Sequence, residues 1–119
     1  MSKVNNILDV IEAGIRVENL RQKTIANNVA NLETPGYRRK DVKFTEFLAK
    51  AMDSDGAIDL KNIEPEIFQP ETTAVASNGN DVSLELEVGE MVKNTLRHKA
   101  LIRVLQKKYD QIDMAMNVR

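Results

Sequence analysis

The sequence predicts an all-α fold. Two long helices, one N-terminal and one C-terminal, fold back as an antiparallel coiled-coil-like hairpin, joined by a mostly irregular middle segment with room for a short helix or strand. Three observations carry this. Apolar residues recur at spacings of three and four through residues 4–33 and again through 81–117. All three prolines, Pro35, Pro65 and Pro70, fall between those stretches. With three Phe, two Tyr and no Trp in 119 residues, the packing must be aliphatic, which suits a heptad seam. The chain therefore divides into 1–33 (N-terminal helix), 34–80 (middle) and 81–119 (C-terminal helix), all within one structural domain.

The first helix has its seam at Leu8, Ile11 and Ile15, then a polar gap at Glu18 and Gln22, then Ile25 and Val29. It stops at Thr34-Pro35-Gly36-Tyr37. Pro35 cannot continue a helix, and Gly36 takes the positive φ of a type II turn.

In the middle, Phe44–Lys50 reads as a short helix, and Asp53-Ser54-Asp55-Gly56 as a turn. Residues 58–68 alternate enough for a short strand or extended arm, interrupted by Pro65. Glu71–Asn80 is polar and rich in small residues, the composition of a mobile linker.

The last helix follows Asn78-Gly79-Asn80-Asp81, with Asn80 or Asp81 expected as N-cap and Glu85, Glu87 and Glu90 set against the positive end of the dipole. Its seam runs through Leu84, Val88 and Met91, a polar pair Thr95 and His98, then Ile102, Leu105, Tyr109 and Ile112. Gly89 inside it costs about 1 kcal/mol relative to Ala.

Laid antiparallel so that facing residue numbers sum to 116 or 117, the seams place Ile15 on Ile102, Leu8 on Tyr109 and Val29 on Val88. The two polar gaps then coincide, and Glu18 and Gln22 meet Thr95 and His98 in one polar layer, a device that fixes register at some cost in stability. Each helix carries more apolar residues off its seam: Ile7, Val10, Val17 and Leu20 on the first, Val92, Leu96, Leu101 and Val104 on the second. A two-helix hairpin cannot cover both stripes, so further copies or related chains are expected to do so.

Composition narrows the function. A net charge of −1 gives no electrostatic case for binding nucleic acid or an anionic membrane. There is no Cys and a single His, so neither thiol chemistry nor a zinc site is expected, and no cofactor is implied. No membrane span is expected. Asp9, Glu12 and Arg16 break up any apolar run in residues 4–17, so a cleaved Sec signal is not expected. His98 lacks a nucleophile, phosphate loop or metal set, and Arg38, Arg39 and Lys40 beside Asp41 read as a solvated loop. No catalytic constellation is present in this reading, and the protein is expected not to be an enzyme.

The most specific stretch is Ala26-Asn27-Asn28-Val29-Ala30-Asn31-Leu32-Glu33-Thr34-Pro35-Gly36-Tyr37. Asn is a poor helix former, so Asn27, Asn28 and Asn31 near a helix end are locally unfavourable unless they bond to something. Together with Thr34, Pro35, Gly36 and Tyr37, they closely resemble the N-terminal signature shared by flagellar axial proteins of the rod and hook. The continuation Arg38-Arg39-Lys40-Asp41-Val42-Lys43-Phe44, the Gly79–Glu85 stretch and the absence of a larger inserted domain resemble the proximal-rod members. That resemblance implies a structural subunit of the flagellar basal body with a helical axial core. It also implies passage through the flagellar type III export apparatus, localisation in the periplasm-spanning rod, and assembly with itself, other rod proteins and components of the export-apparatus base. Early export substrates of this kind carry a Phe-x-x-x-hydrophobic gate-recognition motif, matched here by Phe44 and Leu48, whose spacing of four puts both on one helix face. Core packing of Phe44, Phe47 and Leu48 is the competing account. A cytoplasmic helical-hairpin adaptor or regulator fits the heptads alone equally well; the Asn-rich signature favours the rod.

Overall fold

A computed structural model describes residues 3–44 and 65–117, with the side chains of α1 described from Ile7 onward. Its elements are α1 (Lys3–Ala30), β1 (Asp41–Lys43), β2 (Glu66–Phe68) and α2 (Leu84–Asn117). The shape is a rod, 68 × 27 × 17 Å, with a radius of gyration of 17.9 Å. A compact chain of this length would have a radius of about 13–14 Å.

The helices pack antiparallel along their length. Three contacts fix the register. A Cβ at Gly14 would meet Leu101 Cδ1 at 3.2 Å; Glu18 Oε1 accepts from Arg97 Nε over 3.0 Å; Glu87 Oε1 accepts from Asn28 Nδ2 over 3.1 Å. Each pair sums to 115 (14 + 101, 18 + 97, 28 + 87), one or two residues from the expected 116 or 117. Ile15 and Ile102 line one groove between the helices, together with Leu105.

The inward face of α2 is rotated from the expected one in its N-terminal half. Its buried residues there are Glu87 and Asn94, whereas the seam positions Leu84 and Val88 are exposed, as are Val92 and Leu96. The pattern is inverted, with polar groups inside and apolar groups outside. A trace that follows apolar spacing therefore runs along the wrong side of this half-helix. Farther along, Ile102, Leu105 and Ile112 are half-buried and Tyr109 is exposed. On α1, Ile11 and Ile25 are buried, Leu8 and Ile15 half-buried, and Val29 exposed. Val17, which lies off the expected seam, is among the most enclosed side chains at 1% exposure.

The fold is not strictly all-α. β1 and β2 pair antiparallel, with Asp41 opposite Phe68, Val42 opposite Ile67 and Lys43 opposite Glu66. Two isolated strands are marginal in water, and β1 leans on α1 with Val42 buried. The Lys43 ammonium sits 4.8 Å from the centre of the Phe68 ring, a further tie between the strands. β2 starts directly after Pro65 and is the end of the expected extended arm. The expected helix over Phe44–Lys50 lies, apart from Phe44, outside the described residues, and Phe44 itself is not helical.

Glu71–Asn80 is not a loose linker over its second half. Ala76 N donates to Asn80 O over 2.7 Å, Gly79 N to Ala76 O over 2.9 Å, and Gly36 N to Asn78 O over 2.9 Å. The residue that opens α2 is Ser83, in place of Asn80 or Asp81. Its carbonyl accepts the first helical bond from Glu87 N at 2.9 Å, and its Oγ faces Leu86 N at 3.4 Å.

Candidate functional site

The chain leaves α1 through a tight turn. Tyr37 N donates to Thr34 O over 3.2 Å across Pro35 and Gly36, and Gly36 has φ +73°, the type II arrangement expected from Thr-Pro-Gly-Tyr. Gly79, at φ +86°, comes against Gly36 backbone to backbone: a Cβ on Gly79 would lie 3.3 Å from Gly36 Cα. The loop after α1 and the loop before α2 are thus pressed together at two glycines.

Asn80 closes the end of α1. α1 has no basic residue in its last turn to meet its free carbonyls. Asn80 Nδ2 instead donates to Asn31 O and Thr34 O, both at 2.8 Å, while its Oδ1 accepts from Val82 N at 2.7 Å. One side chain from the second loop terminates the first helix and shapes the start of the second.

Asn28 is the hub. Its Nδ2 donates to Lys40 O (2.9 Å) and Glu87 Oε1 (3.1 Å), and its Oδ1 accepts from Tyr37 Oη and Lys40 N (both 3.0 Å). Both donors and both lone pairs are used, and the side chain is fully enclosed. An Asn in a helix carries a propensity cost of a few tenths of a kcal/mol, which four hydrogen bonds, one buried and three partly buried, outweigh. Asn27 and Asn31 play a local part: Asn31 Nδ2 donates to Asn27 O at 2.8 Å, and Thr34 Oγ1 to Asn31 Oδ1 at 3.1 Å, both at the surface.

Arg39 is buried at 5% exposure, so the basic run is not a solvated loop. Its Nε donates to Glu87 Oε1 at 2.7 Å and its backbone N to Asp81 Oδ1 at 2.6 Å. Arg38 Nε reaches Asp81 Oδ2 at 3.1 Å. Glu87, read from sequence as compensating the helix dipole, is an enclosed ion-pair partner. Its Oε1 takes both Asn28 and Arg39, while Oε2 has no hydrogen-bond partner. Desolvation, then the carboxylates of Glu87 and Asp81, holds the Tyr37 phenol above its usual 10.0, with Arg39 pulling the other way.

A second polar layer lies midway along the hairpin, with partners other than those expected. Glu18 is buried, as foreseen for a gap residue. Its backbone carbonyl accepts from Asn94 Nδ2 at 2.7 Å, and its carboxylate from Arg97 Nε at 3.0 Å, with Arg21 Nη1 at 3.5 Å. Gln22 and Thr95 are exposed, Thr95 bonding back to Met91 O at 3.0 Å. His98 and Met91 are half-buried. The rotation of α2 brings Asn94 inward where Thr95 was expected.

Arg39, Asn80, Asp81, Glu87, Asn94 and Arg97 carry both layers, and sequence periodicity does not single them out as a set. Among the described residues, no group of three or more His, Asp or Glu is placed to hold a metal, and no helix is long and apolar enough to cross a membrane. Phe44 directly follows β1, and Leu48, its expected partner in the export motif, lies outside the described residues.

The junction is also where comparison with known proteins concentrates. The family profile described as "Flagella basal body rod protein" matches residues 18–38, from the Glu18 layer through the Thr34–Tyr37 turn. Relatives align over nearly the whole chain. "Flagellar basal body rod protein FlgB" of Bacillus subtilis (strain 168) is 27% identical, with 94% of each chain covered. The protein of that name from Escherichia coli (strain K12) is 28% identical, covering 94% of this chain and 96% of its own. That of Borreliella burgdorferi is 24% identical, covering 98% and 99%. The chain is thus similar to flagellar basal body rod proteins over the Asn-rich junction, and to proteins named FlgB over nearly its whole length.

Proposed function

We infer that the chain is a structural subunit of the bacterial flagellar basal body rod. The end-to-end similarity to basal body rod proteins carries this reading. The physical surface agrees with it. Leu84, Val88, Val92 and Leu96 on α2 and Ile7 and Val10 on α1 are exposed along a thin hairpin, and among the described residues no second layer covers them. Apolar surface of this kind marks a site where a neighbouring chain packs. The subunit reaches its place through the flagellar type III export apparatus. There it packs with other rod proteins and the base of the export apparatus in the periplasm-spanning rod.

Mass spectrometry of purified hook–basal bodies from the native host tests the assignment, together with a clean deletion scored for filaments. Peptides of this chain in the basal-body fraction and a non-flagellate deletion are expected. A chain confined to the soluble cytoplasm, in a strain that still builds flagella without it, would establish the adaptor reading. The export role of Phe44 and Leu48 is tested by secretion into the medium of a hook-deficient strain. Phe44→Ala and Leu48→Ala are expected to lower secretion strongly while Phe47→Ala does not; equal loss from all three points to packing.

A further inference from the structure

We propose that the free chain pairs with a second copy of itself through the outer face of α2, the two helices antiparallel and Val92 of each on the two-fold axis between them. At about 100° per residue, Glu85, Val88, Val92, Leu96 and Lys99 fall within about 40° of one line along the helix. The buried line through Glu87 and Asn94 lies about 150° away, so the row faces outward. All five residues are exposed, Val88 and Val92 at 54% and Leu96 at 63%. A Cβ at Gly89 would meet nothing within 4 Å, which leaves room beside Val88 and Val92 for a second helix to come close.

The row is symmetric in spacing and opposite in charge about Val92. Glu85 and Lys99 stand seven residues to either side of it, and Val88 and Leu96 four. A copy turned end for end therefore sets its Lys99 against Glu85, its Leu96 against Val88 and its Val92 against Val92. The two outer contacts each occur twice. A parallel copy in register would instead set like charge on like. Arg103, also exposed, follows Lys99 one turn on and strengthens the basic end. Among the described residues, neither Glu85 nor Lys99 is in an ion pair within its own chain, so both remain to meet a partner.

A surface complementary to itself selects a second copy as its occupant, with burial at the centre and charge at the rim fixing the register. Such a contact closes on two chains and does not propagate. It concerns the subunit in solution and so goes beyond the rod reading: the pair covers Val88, Val92 and Leu96 before assembly, and must open before rod neighbours can use them.

Three aliphatic side chains a copy make a small interface, so sedimentation equilibrium of the purified chain is run up to about 1 mM. Salt is held at about 0.01 M, where the Debye length is about 30 Å. A monomer–dimer equilibrium is expected. Glu85→Lys brings like charges together at both ends and is expected to weaken the pair about tenfold. Adding Lys99→Glu to the same chain exchanges the charges and is expected to restore it. The chain has no Cys, so introduced thiols read the register. Val92→Cys chains are expected to link to one another on oxidation. Val88→Cys chains are not, because the two positions lie about 12 Å apart along the pair, but they are expected to link to Leu96→Cys chains. Far-ultraviolet circular dichroism of each variant guards against loss of folding, and the restored dimer is possible only between folded chains. A monomer at every concentration, a dimer indifferent to charge reversal, or Val88→Cys linking to itself as readily as Val92→Cys would each overturn the pairing. Because the assay uses purified protein, its failure and a failure to find the chain in basal bodies are separate results.

Discussion

Asn28 Nδ2 donates to Glu87 Oε1 over 3.1 Å, joining the last turns of α1 to the first turn of α2 across 59 residues of sequence. Glu87 in turn holds Arg39, and Asp81 holds the backbone of Arg39 and the side chain of Arg38. Both helix ends, the turn after α1 and the stretch leading to β1 therefore meet in one buried polar cluster. Its consequence is that this end of the hairpin is specified by hydrogen-bond geometry, which admits one arrangement, where apolar packing would admit several.

Replacing Asn28 by Ala removes four hydrogen bonds, leaves Glu87 and the partly buried Lys40 backbone groups without that partner, and empties an enclosed side-chain position. An unsatisfied buried group costs about 1–3 kcal/mol, so a loss of about 3 kcal/mol or more is expected. Asn27→Ala, one residue away and at the surface, is expected to change stability by less than about 0.5 kcal/mol. Urea unfolding followed by circular dichroism separates the two. Equal effects would mean that the cluster does not hold the hairpin end.

Arg39 and Glu87 form an ion pair with both side chains almost wholly enclosed. Breaking it from one side leaves an unpaired buried charge, at a cost of about 3–5 kcal/mol for Glu87→Leu or Arg39→Met. The double variant leaves no such charge and is expected to be less destabilised than the sum of the two, with a coupling of about 2 kcal/mol. Additive losses in this double-mutant cycle would show that each side chain acts through other neighbours, such as Asn28 or Asp41.

Three glycines give a graded test of the loops and α2. At Gly36 a Cβ meets nothing within 4 Å, so Gly36→Ala suffers only from φ +73°, about 1–2 kcal/mol. Gly79→Ala adds a 3.3 Å contact with the Gly36 backbone to a similar φ, and is expected to cost more than Gly36→Ala. Gly89 lies inside α2 in open space, so Gly89→Ala is expected to stabilise the isolated chain by about 1 kcal/mol. Thermal unfolding of the three variants should give that order, and a destabilising Gly89→Ala would contradict the helical environment described for it.

Periodicity and proline placement made the hairpin legible, and Thr34-Pro35-Gly36-Tyr37 made its turn legible, because these signals are local. The inner face of α2 was not. Glu87 and Asn94 occupy buried positions that an apolar trace skips, and their neighbours Val88 and Val92 point outward. A buried polar residue becomes recognisable only when its partner is known. Arg39 and Asn28 sit 48 and 59 residues away from Glu87. β2 falls at the end of the expected arm, but β1 and the pairing escaped for a similar reason: three-residue strands carry little pattern, and Asp41–Lys43 finds its partner only across the chain. The Asn-rich stretch was recognisable as unusual, since Asn is costly in a helix, but its sequence did not say that Asn28 turns inward while Asn27 stays at the surface.

Tyr37 gives the junction a pH signature. Its phenol donates to Asn28 Oδ1, and its ionisation is held above 10.0, chiefly by desolvation and then by Glu87 and Asp81. In the unfolded chain Tyr37 loses its proton near its ordinary value, whereas the folded chain keeps it to higher pH. Above about pH 10 the unfolded state thus binds fewer protons than the folded one, and stability must fall as pH rises. Tyr37→Phe removes that contribution. At neutral pH the variant is expected to be less stable by about 1 kcal/mol for the lost hydrogen bond. Between about pH 9 and pH 11 the gap to the wild type should narrow, because only the wild type carries the Tyr37 penalty. Lysines titrating over the same range are common to both proteins and cancel in the difference. A gap that stays constant across this range in paired urea titrations would mean that Tyr37 ionises as freely in the folded chain as in the unfolded one.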